Sequence, residues 1–218
     1  MRINIPNFGA VMKKIVVVLC LLILSGCSAV PSVQLKKEDF EKLNTLSVEA
    51  SEDDNSMLVV VGQTKMQWAG GYAAVADVGG TGLKASTLEF LEANEINFND
   101  IVTKQFIEKI REDNLDIELD GKSKNKLVFT INVVVLGIVH GFSDEYTSGF
   151  NISGQLFDGS GKLIWSCNPT KGFAEHFSKP SLTLKEIFSS KESALKFFSA
   201  ESDSMVQKLY DDFKNNLI

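Results

Sequence analysis

The chain has 218 residues, 44% hydrophobic and 23% charged, with 22 basic and 28 acidic residues and a net charge of −6. That composition suits one globular domain with a sizeable core. Arg2, Lys13 and Lys14 are the only charges in the first 26 residues, so the remainder holds 19 basic against 28 acidic groups, a balance near −9. A chain so acidic lacks the basic footprint that replaces phosphate counterions, which argues against nucleic acid and against charge-driven binding to an anionic membrane surface.

In chain order, Lys13-Lys14 precede the unbroken apolar run Ile15 to Leu24. As a helix that run spans about 15 Å, half a bilayer core. It is too short for a comfortable membrane span and has the charged and apolar regions of an export signal. Met12 makes a better start for such a signal than Met1, which predicts that Met1 to Val11 is an upstream extension.

Leu24-Ser25-Gly26-Cys27 follows, and it resembles the lipobox of bacterial lipoproteins. Small side chains let an extended backbone enter a peptidase cleft, and a thiol is the side chain most readily alkylated by a lipid donor. The resemblance implies cleavage between Gly26 and Cys27, diacylglycerol on the Cys27 sulfur and an acyl chain on the new amine. It implies no other cofactor. Two or more acyl chains hold a protein firmly where one holds marginally. Ser28, rather than Asp, after the cysteine implies the outer membrane, with the domain facing the periplasm. The alternative is an ordinary secretory signal cut after Ala29, with Cys27 left over.

These readings divide the chain into a signal peptide over 1–26, a lipidated N-terminus and tether over 27–38, and one globular domain over 39–218. Cys20 lies inside the apolar run, so Cys167 is left without a disulfide partner in the mature chain and reads as a strand residue beside Trp165.

Leu43 to Ala50 and Ser56 to Met66 read as strands separated by the turn-prone "SEDDN". Ser86-x-x-Glu89 reads as a capping box opening a short helix, and Asn97 to Asp100 as the start of a longer one. Val102, Phe106 and Ile110 fall four apart on the apolar face of that second helix. Lys126 to Val139 is the strongest strand. One face is predicted to hold Leu127, Phe129, Ile131, Val133 and Val135, and the other Val128, Val134 and Leu136, so it should lie centrally, with Asn132 needing a partner.

Tyr146 to Phe157 alternates, with Tyr146, Phe150, Ile152 and Leu156 predicted inward and Thr147, Asn151, Ser153 and Gln155 wet. Asp158 to Gly161 is a hairpin turn into Lys162 to Cys167, and Thr170 to Phe177 reads as an edge strand. Ser189-x-x-Glu192 then caps a long helix striped by Leu195, Phe198, Met205, Leu209, Phe213 and Leu217, with a kink expected at Ser202 to Ser204.

The expected class is α+β, a mostly antiparallel or mixed sheet with helices on one face and a long C-terminal helix. In element order, and most of all in the Asp158 to Trp165 hairpin, the domain is similar to the N-terminal domain of TolB and to auxiliary lipoproteins of ABC transport systems.

No catalytic or metal constellation emerges. His140 and His176 have no second ligand at metal spacing, and the Gly79 to Gly82 "GGTG" lacks the ending of a phosphate loop. Met66 to Ser86 is rich in Ala and Gly and uncharged between Lys65 and Asp77. It reads either as a closely packed loop and short helix or as an exposed surface for a partner or the membrane. In the second case Trp68 and Tyr72 are its working residues.

The chain is expected to be a lipid-anchored, non-catalytic accessory component that binds other envelope proteins. The alternative is a lipoprotein holding a lipid or small apolar ligand in a pocket between sheet and helices, lined from Phe106, Phe129 and Phe150.

Overall fold

The computed structural model describes residues 32–51, 57–61, 81–139, 143–169 and 181–215. The order is α1 (Lys37–Phe40), β1 (Thr45–Ala50), β2 (Leu58–Val61), α2 (Thr81–Ala93), α3 (Phe98–Glu112), β3 (Glu118–Leu119), β4 (Lys126–Ile138), β5 (Glu145–Phe157), β6 (Leu163–Cys167), β7 (Leu182–Thr183), α4 (Leu184–Ile187) and α5 (Lys191–Asn215). The class is α+β as expected, with a mixed sheet. β1 and β2 both run parallel to β4 along the same edge, β1 against its first half and β2 against its second, while β5 runs antiparallel along β4's other edge. β3 extends the sheet beyond β1, and β6 and β7 pair with β5.

β4 is central, as its double-sided apolar run requires. Its faces differ from the expectation. Ile131 pairs with Ile152 and Val133 with Asn151, so Asn132 is an extra residue with no opposite number. This bulge reverses the side-chain phase. Leu127, Phe129 and Ile131 are buried before it, and Val134, Leu136 and Ile138 after it. Val133 and Val135, expected inward, lie on the opposite face and are half-buried. Asn132 is exposed and donates to Asn151 Oδ1 at 2.9 Å.

On the core face, α3 and α5 lay their aromatic residues against the sheet. Phe106 sits 4.8 Å from Phe129 between ring centroids, Phe213 sits 5.6 Å from Trp165, and Phe98 meets Phe150 edge-on at 5.6 Å. Val102, Phe106 and Ile110 are buried as the four-residue spacing predicts. Asn97 caps α3 by accepting from Asn99 N at 2.8 Å. Gly154 fits beneath this layer only because it has no side chain. A Cβ there would lie 2.8 Å from a ring carbon of Trp165.

Three local expectations change. α2 begins at Thr81, so Ser86 lies within the helix and does not cap it. α5 is capped by Ser190, whose Oγ accepts from Ser193 N at 3.1 Å, rather than by Ser189. α5 also runs unbroken through Ser202 to Ser204, because Ser202 is buried and donates to Gln105 Oε1 at 2.7 Å.

Thr147, expected to be wet, is buried. The asparagine-to-glutamine stretch that follows on β5 (Asn151, Ser153, Gln155) is half-buried. The packed unit spans Ser32–Ile218 and so takes in residues read as tether. Val33 forms an antiparallel bridge with Ser166, and Leu35 is buried in the core. The expected strand over Thr170 to Phe177 falls outside the described residues.

Candidate functional site

Three surfaces of the described domain bear on function, and each grows from a local rule of the fold. The first is the back of the sheet, the face away from α3 and α5. Before the bulge it is polar. Lys126 Nζ pairs with Glu49 Oε1 at 3.0 Å, and Ser47 Oγ donates to the same oxygen at 3.0 Å. Together, the Lys126 bond first, they hold the Glu49 carboxyl below its ordinary value. After the bulge the same face turns aliphatic. Val59 stands opposite Val135 and Val61 opposite Gly137. With Met57 at 37%, Val59 at 38% and Val61 at 40% exposure, these are the exposed large hydrophobics among the described residues.

The second surface is an open groove of about 1250 Å³ beside the first half of α5. Its apolar wall comes from Leu182, Leu184, Phe188 and Phe197, and its charged groups include Lys196 and Glu201. α4, which lines the groove, opens on a capping box. Thr183 Oγ1 accepts from Glu186 N, and the Glu186 carboxylate accepts back from Thr183 N at 2.9 Å. That box was legible as Thr183-x-x-Glu186, a signal the sequence reading passed over. Phe106, Phe129 and Phe150, expected to line a ligand cavity, instead pack into the aromatic cluster among the described residues.

The third is the surround of Cys167, half-buried on β6. Burial, with the Asp212 carboxylate beside it, pushes the thiol up to about 12. Asp212 also accepts from Trp165 Nε1 at 2.8 Å. A thiol so held stays protonated at neutral pH and is a poor nucleophile.

Compared with protein-family models, with curated proteins and with solved structures, the chain matches none. Function must therefore be argued from the chain itself. Gly26, Cys27, Trp68, Tyr72, His140 and His176 lie outside the described residues. Among the described residues no cluster of three His, Cys, Asp or Glu side chains could hold a metal, and no helix is long and apolar enough to cross a membrane.

Proposed function

We propose that this chain is a lipid-anchored lipoprotein of the bacterial envelope, an accessory component that works by binding another envelope protein. The observation that carries the reading is Leu24-Ser25-Gly26-Cys27 directly after a basic pair and a ten-residue apolar run. Acyl chains on Cys27 would confine the domain to two dimensions and raise its effective concentration beside membrane-seated partners. The aliphatic row Met57, Val59 and Val61 supports a binding role, because water-facing aliphatic side chains gathered on one sheet face are what a partner surface covers.

Labelled palmitate supplied to cells making the full chain tests the anchor. Label should follow the wild type into the membrane fraction and be absent from Cys27→Ala. A wild type without label would remove the anchor from the reading. Affinity purification of the labelled protein from gently solubilised envelopes then tests the role, with a discrete companion expected that a Val59→Asp/Val61→Asp form loses.

The groove beside α5 favours a second reading, a lipoprotein that takes up a lipid or small apolar ligand. Leu182, Leu184, Phe188 and Phe197 give it an apolar wall. Heat stabilisation by envelope lipid extract, lost in Phe197→Asp, would support it over the accessory role.

A further inference from the structure

The place where the N-terminal segment joins the sheet bears on which side of the domain meets the membrane. Val33 N donates to Ser166 O at 3.2 Å and Ser166 N to Val33 O at 2.9 Å, so Val33 adds to the outer edge of β6. Leu35, two residues on, is 3% exposed and pins the segment into the core. Ser28 to Ser32 are the residues between Cys27 and that junction. Six virtual bonds at 3.3–3.6 Å reach about 20 Å at full extension, and about 13 Å as a flexible chain.

The domain is large beside that leash. Its residues, Ser32–Ile218, imply a radius of gyration of about 16 Å and a breadth of roughly 40 Å. Across the sheet the order runs from Val33 through β6, β5, β4 and β1 to β3. Those five steps, at about 4.8 Å each, set β3 about 24 Å from Val33. With the β3 edge against lipid, Val33 would stand beyond the reach of a fully stretched leash. Laying the back of the sheet on lipid would strip water from Glu49, Lys126 and Asn132, whose side chains face that way. Placing the β6 edge against the bilayer avoids both costs and leaves the leash slack.

We propose that the β6 edge, where Val33 meets Ser166, is the side of the domain that faces the lipid surface, and that the β3 edge points away from it. This rests on the anchor at Cys27 proposed above. The aliphatic row on β2 then stands on the lipid-distal half of the sheet, presented to a protein that rises beside the domain from the same bilayer.

Energy transfer to a lipid acceptor tests the orientation. Acylated full-length protein carrying a fluorophore at Gln34→Cys or at Glu118→Cys is reconstituted into phosphatidylethanolamine–phosphatidylglycerol vesicles doped with an acceptor lipid. Cys27 is acylated in this material, and a Cys167→Ala background removes the half-buried thiol on β6 from competition for the label. Transfer should be strong from Gln34→Cys and several-fold weaker from Glu118→Cys. Lys37→Cys and Asp120→Cys form a second pair if either of the first variants fails to fold. Twelve Gly/Ser residues inserted after Ser28 should erase the difference. Equal transfer from both edges of vesicle-bound, acylated protein would overturn the orientation alone. Protein that carries no acyl mass and stays off vesicles would overturn the anchor, and the orientation with it.

Discussion

The two halves of β4 make an instructive pair. Lys126 to Ile131 and Val133 to Ile138 lie on one strand and share β5 as a neighbour. Yet the first half shows the solvent an ion pair and a row of polar side chains, and the second shows it valines. The second half holds aliphatic side chains in either phase, and one residue sets which of them face outward. Asn132 consumes a position without a partner, so odd-numbered residues face the core before it and even-numbered residues after it. Keeping Asn132 out of the ladder therefore decides which aliphatic side chains become core and which become surface.

Adding one residue after the bulge is the strongest way to break this contrast. Deleting Asn132 would join Ile131 to Val133 in register and leave both faces as they are, whereas inserting one alanine between Val133 and Val134 would turn Val134, Leu136 and Ile138 away from the core, at about 1.5–3 kcal/mol each. Against a typical total stability of about 5–15 kcal/mol, that should abolish a cooperative unfolding transition. Asn132→Ala, which keeps the spacing, should cost no more than about 1 kcal/mol. A folded insertion variant would show that the chain can set its phase elsewhere.

Next in size is a chemical contrast within the first half. Cys167, opposite Gly154, should react with a maleimide at pH 8 about a thousandfold more slowly than a free thiol of ordinary pKa near 8.5. Unfolding in denaturant should restore the ordinary rate, and fast labelling of the folded chain would contradict the buried, Asp212-facing thiol.

The two halves also differ in how they treat glycine. Gly154→Ala would drive a methyl into Trp165 and should cost about 1–3 kcal/mol. At Gly137 a Cβ meets nothing nearer than 3.7 Å, so Gly137→Ala should be neutral or stabilise by about 0.5 kcal/mol. Urea unfolding of both variants checks the pair, and equal effects would mean that the ring of Trp165 yields. The smallest effect belongs to the aliphatic face. Val59→Ser should move stability by no more than about 0.5 kcal/mol, since 38% of that residue is already in water. A loss several times larger would mean that Val59 is covered in the intact chain.

Much of this fold was legible because period and burial agree. The four-residue spacing of Val102, Phe106 and Ile110 placed α3 on the core, and the long apolar run from Lys126 placed β4 at the centre. The same run hid the bulge. Three consecutive valines, Val133, Val134 and Val135, fit either phase, so nothing in the side chains marked the reversal. α2 was read too short because its first turn is drawn from a glycine-rich stretch, where propensity points away from helix.

Val33 and Leu35 read as tether because two apolar residues are too few to show a period; Val33 is held by Ser166, 133 residues away, and Leu35 is buried in the distant core. Of the candidate surfaces, the groove had a sequence signal in Thr183-x-x-Glu186. The exposed aliphatic row had none, since Val59 and Val61 differ from buried Leu58 and Val60 only in direction.

The seam between the two long helices carries a consequence of its own. Gln105 meets Ser199 and Ser202, Lys109 meets Asp203 and Gln207, and Asp113 meets Tyr210 and Lys214. The rungs recur every four residues on α3 and advance in the same direction along α5. Sliding either helix by a single residue would mispair all three together, while the aromatic rings beneath would tolerate a small glide. The seam thus works as a vernier scale with one reading: greasy packing brings the helices together, and the polar graduations fix their setting.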